Sequence, residues 1–193
     1  MIIYMCKVIC VTNRTLCDGN FLLQIEKVCK MGPDAVVLRE KDLEESEYEK
    51  LAVQVKKICE SYGVECILHY FYNTAIKLGC RSFHAPLHIL EQMNEYQKKN
   101  FDKIGASCHS TEELKKAEQF GCTYVFAGHI FATDCKKGVE PRGIEFLKKM
   151  CDSTSIKVYA IGGINKNNIN EVLSAGADGY CIMSGFMKNV DQN

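Results

Sequence analysis

The chain has 193 residues, 47% of them hydrophobic, and its 24 Lys and Arg balance 24 Asp and Glu. That length and apolar content fit one domain, spanning 1–193, with a sizeable core. The even, scattered charge excludes a basic nucleic-acid face and a polybasic lipid-binding patch, and leaves a small molecule as the expected partner.

The apolar opening, 1–12, is too short to cross a bilayer and is broken by Lys7, so it reads as a first strand. Twelve cysteines come without a basic leader, a cleavage site or a CxxC pair, which points to a reduced chain in the cytoplasm. Cys10, Cys66, Cys108 and Cys181 sit among apolar residues, where a thiol acts as a small hydrophobe; zinc is not expected.

Short β-branched or apolar runs then alternate with longer amphipathic stretches. Strands are predicted at 7–12, 35–38, 65–68, 82–85, 103–107, 124–127, 157–161 and 179–182, with helices between them such as 43–62, 111–120 and 167–175. Ser110 followed by Glu113 has the form of a capping box, and Gly63, Gly79, Gly121 and Gly176 fall where helices should stop. Eight such units predict a single (β/α)8 TIM barrel of the α/β class; an open doubly wound sheet is the alternative.

In such a barrel the chemistry sits on the loops after the strands. Strand two runs into Arg39-Glu40-Lys41-Asp42, where Arg39 and Lys41 could hold a phosphate or carboxylate, unless the segment is only a solvated charge run. Strand five ends in Ser107-Cys108-His109-Ser110, which offers the Ser107 hydroxyl at the rim; His109 reads as a supporting or helix-start residue.

Strand six opens the loop 128–143, with His129 after two small residues and with Thr133 and Lys136 on a polar stretch. Of the five histidines His129 is the one expected to point into the mouth, where an imidazole suits a proton shuttle; packing at a strand end is the competing reading. After strands seven and eight come Gly162-Gly163 and Ser184-Gly185, whose backbone amides would together cup a phosphate, unless the glycines serve only turn geometry.

Taken together, Arg39-Glu40-Lys41-Asp42, Cys108-His109-Ser110, Gly162-Gly163-Ile164 and Ser184-Gly185 resemble the thiamin phosphate synthase superfamily over nearly the whole chain. The loop from Gly128-His129 to Arg142-Gly143 is similar to its thiazole tautomerase branch, since synthases usually carry proline where His129 stands. The resemblance implies that synthases hold Mg²⁺ with aspartates after strands three and four; here His69-Tyr70-Phe71 and His84-Ala85-Pro86-Leu87-His88 occupy those places.

The resemblance therefore implies a thiazole tautomerase, an isomerase of thiamin biosynthesis that aromatises carboxythiazolylidene ethyl phosphate by a proton shift. His129 would move the proton, Gly162, Gly163, Ser184 and Gly185 would grip the phosphate, and Arg39, Lys41, Ser107, Thr133 and Lys136 would line the substrate. No metal or other cofactor is implied. The partner is a small phosphorylated thiazole, with no nucleic acid or membrane and with a homo-oligomer left open. The alternatives are a thiamin phosphate synthase, coupling a pyrimidine diphosphate to a thiazole phosphate, or a ligand-binding barrel without catalysis.

Overall fold

Eight short apolar runs, each four to six residues long, pair in parallel and in chain order to close a ring, and a computed structural model describes residues 6–188 of it. The strands are β1 Lys7–Val11, β2 Ala35–Leu38, β3 Glu65–His69, β4 Ser82–Ala85, β5 Lys103–Cys108, β6 Tyr124–Gly128, β7 Lys157–Ile161 and β8 Gly179–Ile182. The seam pairs β1 with β8, from Lys7 opposite Gly179 to Cys10 opposite Ile182. The expected (β/α)8 barrel is therefore the fold.

Parallel strands are covered on both faces, so they carry near-continuous apolar sequence. Ile9, Val11, Val37, Ile67, Phe126 and Cys181 face the barrel interior. Their neighbours Cys10, Val36, Leu38, Leu68 and Val125 pack outward against the helices. All twelve cysteines are free thiols, with Cys10, Cys108 and Cys181 buried and Cys66 half-buried.

The outer layer is α1 Phe21–Lys30, α2 Glu45–Ser61, α3 Tyr72–Lys77, α4 Leu87–Gln92, α5 Glu95–Lys98, α6 Thr111–Gln119, α7 Gly143–Asp152, α8 Ile169–Ser174 and α9 Ser184–Met187. Gly63, Gly79, Gly121 and Gly176 follow helices with φ of 67°, 65°, 80° and 95°, the left-handed turn that ends a helix. No helix of the described residues is long and apolar enough to cross a membrane.

Three details depart from the sequence pattern. The opening strand is confined to Lys7–Val11, and residues 1–5 lie outside the described ones. Helix α8 is shorter than 167–175 because Asn side chains bond the backbone ahead of it: Asn165 Oδ1 accepts from Asn167 N and Asn168 Oδ1 from Asn165 N, both at 2.9 Å. Ser110 caps α6 by accepting from Glu113 N at 3.1 Å, but the Glu113 carboxylate accepts from His109 N instead of closing the box.

One helix residue also positions the strand ends. Tyr48 of α2 is fully buried, and its hydroxyl donates to the Leu38 carbonyl at 2.7 Å while accepting from His69 N at 2.9 Å. It clips together the points where β2 and β3 deliver Arg39 and His69. Tyr48→Phe removes both bonds, and urea denaturation should show a loss of about 1–3 kcal/mol.

Candidate active site

The loops after the strands enclose a cleft of about 1520 Å³ at the C-terminal mouth of the barrel. Every residue singled out from the sequence lies on its wall: Arg39 and Lys41, Ser107, His129, Thr133 and Lys136, and the pairs Gly162–Gly163 and Ser184–Gly185.

Alternation explains the strand-two segment. Arg39 and Lys41 face the mouth, while Glu40 and Asp42 turn to the loop after β1. Glu40 is only 2% exposed and accepts from Thr12 Oγ1 at 2.6 Å and from Arg14 N at 3.0 and 3.1 Å. Asp42 pairs with the Arg14 guanidinium at 2.6 Å. The segment is thus no solvated run: its acids anchor the first loop, and its cations have no acidic partner among the described residues.

Burial raises the Glu40 carboxyl above its ordinary 4.5, and the bonds from Thr12 and Arg14 pull it only part of the way back. An acid with a raised folded pKa holds its proton better folded than unfolded. The cost of its charge is therefore fully present above the raised value and fades as pH falls toward 4.5. Native protein should gain stability relative to Glu40→Gln over that descent, in denaturation curves taken at a series of pH values; a pH-independent difference would refute this.

On the opposite side, the loops after β6 and β7 continue the ladder past the strands, with Ile130 N donating to Ile161 O and Phe131 N to Gly162 O, each at 3.0 Å. This lacing demands glycine. Gly162 and Gly163 have φ of 101° and 67°, and a Cβ would lie 2.3 Å from His129 Cβ at the first and 2.5 Å from the Ala132 carbonyl at the second. Asn168 Nδ2 donates to the Gly163 carbonyl at 3.0 Å and fixes the loop. Ser184 and Gly185 open α9, where the first amides of a helix have no intrahelical acceptor.

The histidines correct the sequence reading. The sequence points to His129 as the one aimed at the mouth, yet all five, His69, His84, His88, His109 and His129, stand on the cleft. His129 is itself only 5% exposed, with Nε2 3.3 Å from the Val139 carbonyl. His109 keeps the supporting place expected of it: its Nδ1 donates to the Gly128 carbonyl at 2.6 Å, behind the Gly128–His129 corner.

His69 and His84 form the floor. Their rings stack at 5.7 Å, His84 stacks on Phe126 at 4.1 Å, and Tyr124 and Tyr159 fill the barrel below. His84 Nε2 lies 3.0 Å from Ser107 Oγ, so the hydroxyl expected at the rim is engaged with a ring nitrogen. Nδ1 of each ring is buried without a partner. Burial, with Lys41 and Arg39 nearby, pushes His84 down to about 3 and His69 well below its usual value, so both rings are neutral. Strand parity was the available signal, since Ile67 points inward and His69 lies two residues on.

These residues do not fit the divalent ion that the superfamily implies. Mg²⁺ takes carboxylate and phosphate oxygens, whereas the C-terminal ends of β3 and β4 offer the neutral imidazoles of His69 and His84 beside two cations. Asp18, Glu91, Glu113 and Asp134 also reach the cleft wall, but no three His, Cys, Asp or Glu side chains among the described residues are grouped to hold a metal.

Fold and site together define a (β/α)8 barrel whose mouth suits an anionic small molecule. The chain belongs to the family described as thiamine monophosphate synthase, whose model matches residues 8–186. It is 34% identical over 189 residues to the thiamine-phosphate synthase of Fusobacterium nucleatum, covering 96% of this chain and 91% of that one. With the thiamine-phosphate synthase of Clostridium acetobutylicum it shares 33% over 183 residues, covering 94% and 87%. Among solved structures it is similar to thiamine phosphate pyrophosphorylase from Pyrococcus furiosus, with a TM-score of 0.81 and 30% identity over 96% of this chain and 89% of that one.

These relatives overturn the expectation of a thiazole tautomerase and of an isomerase. The likeness to the tautomerase branch is carried by one loop, 128–143, whereas the likeness to these synthases covers 96% of the chain. The same loop is bound to its neighbour by main-chain bonds and sets the backbone and Cβ of His129 against Gly162. With the isomerisation gone, the proton shuttle assigned to His129 loses the reaction it served; the residue's place at the mouth stands.

Proposed function

We propose that this chain is a transferase of the thiamine-phosphate synthase kind, which joins a pyrimidine carrying a diphosphate to a thiazole phosphate and releases the diphosphate. The observation that carries the reading is a mouth with two different anion-seeking walls: amides of glycine-rich loops after β7 and β8, and cations from the loops after β2 and β6. Two phosphorylated partners need two such places. The relatives named as synthases, alike over nine-tenths of the chain, support the same assignment.

In this reading Gly162, Gly163, Ser184 and Gly185 hold the thiazole phosphate by main-chain N–H donors. Arg39, Lys41 and Lys136 meet the diphosphate, where charge accumulates as it leaves. Thr133 stands beside Lys136 on the same loop, and the His84–Ser107 pair and His129 shape the space between the two anions. The floor rings are uncharged, so they can accept or donate one hydrogen bond to a heterocycle without adding charge.

The test is to supply purified protein with both substrates, with and without Mg²⁺, and to follow thiamine phosphate and diphosphate together. Equal amounts of the two products are expected. Binding of either substrate with no joined product under any ionic condition would overturn the reading.

A further inference from the structure

The mismatch between this mouth and a divalent ion has a positive counterpart. Where the superfamily would place metal-holding acids, the cleft wall instead presents His69 and His84, which feel the charges of Lys41 and Arg39, and Lys136 comes from the loop after β6, across the ring. We propose that Arg39, Lys41 and Lys136 take the place of a divalent cation, so that this chain binds a diphosphate group without metal. The proposal rests on the reading above in that a diphosphate enters the mouth.

Three observations support it. The acids adjoining Arg39 and Lys41 in sequence are spent elsewhere: Glu40 on Thr12 and Arg14, Asp42 on Arg14. Of the acids on the cleft wall, Glu113 accepts from His109 N and Asp134 lies 3.8 Å from Lys137, while Asp18 and Glu91 form no ion pair with Arg39, Lys41 or Lys136 among the described residues. The three cations on the wall are therefore without an acidic partner there. Lys41 reflects this: partial desolvation on the cleft wall first, then the charges of Arg39 and Lys136, lower its ammonium from the ordinary lysine value.

A diphosphate supplies that counter-charge. Guanidinium and ammonium groups bind phosphate oxygens by charge-assisted hydrogen bonds, and an accumulation of positive charge repels Mg²⁺ while attracting the anion. The neutral floor rings add nothing that opposes this.

The experiment is calorimetric titration of the full chain with inorganic pyrophosphate, first in EDTA and then in excess MgCl₂. Binding is expected in EDTA, and weaker binding in MgCl₂, because the metal competes for the ligand in solution. Lys41→Met should lower the EDTA affinity at least about tenfold, while Lys41→Arg, which keeps the charge, stays within about threefold. Lys41 is exposed at the mouth, and circular dichroism checks that both variants fold.

Pyrophosphate binding that needs Mg²⁺, binding indifferent to Lys41→Met, or no binding in either buffer would each overturn the proposal. Coupling activity separates the two claims. Product formed only with Mg²⁺ sinks this inference and leaves the synthase reading standing. Metal-free pyrophosphate binding without any coupled product does the reverse.

Discussion

Gly179→Ala should open the barrel at its seam. Gly179 stands opposite Lys7, where β8 closes on β1, and an added Cβ would lie 2.1 Å from the Lys7 carbonyl oxygen, 2.6 Å from its nitrogen and 2.8 Å from its carbonyl carbon. A flexible side chain could swing away from such a contact. Backbone cannot, because Lys7 N is already bonded to Asp178 O at 3.0 Å and the strand behind it is packed on both faces. One methyl group therefore has to push two strands apart. The expected loss is about 3 kcal/mol or more, which for a chain of this size lowers Tm by roughly 6–12 °C. Gly19→Ala is the control, since nothing lies within 4 Å of its added Cβ, and it should change Tm by a degree or so. Equal melting of the two variants would show that the seam yields.

The second large effect is local. Gly163→Val combines two penalties: a β-branched residue held at φ 67°, and a Cβ 2.5 Å from the Ala132 carbonyl and 2.8 Å from Phe131 Cβ. The left-handed conformation alone costs about 1–2 kcal/mol for a residue with a side chain. Relief requires moving the loop that carries Thr133 and Lys136, so both walls of the mouth shift at once. Affinity for a thiazole phosphate should fall at least about tenfold, while stability drops by about 1–3 kcal/mol. Calorimetry on protein shown to be folded separates the two. Wild-type affinity in the folded variant would remove Gly163 from the phosphate cup.

Much of the architecture is legible in the sequence because the physics there is local. Runs such as Ala35–Leu38 are apolar at every position, which only a strand covered on both faces tolerates, and glycines at 63, 79, 121 and 176 mark helix ends by a conformation other residues avoid. The mouth residues follow from the same map, since loops after parallel strands share one end.

What escapes is set by contacts distant in sequence. Nothing near Glu40 announces that Thr12 and Arg14 will bury it. At His69 and His84 the family pattern shows only missing aspartates, although two-residue alternation from Ile67 and Ser82 turns both inward. The reaction escapes for a related reason. Loop 128–143 is the most distinctive stretch of the chain, but distinctiveness in one loop says less than resemblance carried through every strand.

The rings beneath the mouth make the site a cul-de-sac. Phe126, Tyr124 and Tyr159 stopper the barrel under His84, so molecules come and go by one door. Whatever binds above the rings therefore enters and leaves past one rim, where Arg39, Lys41, Thr133 and Lys136 stand, and a change in that rim alters arrival and departure together.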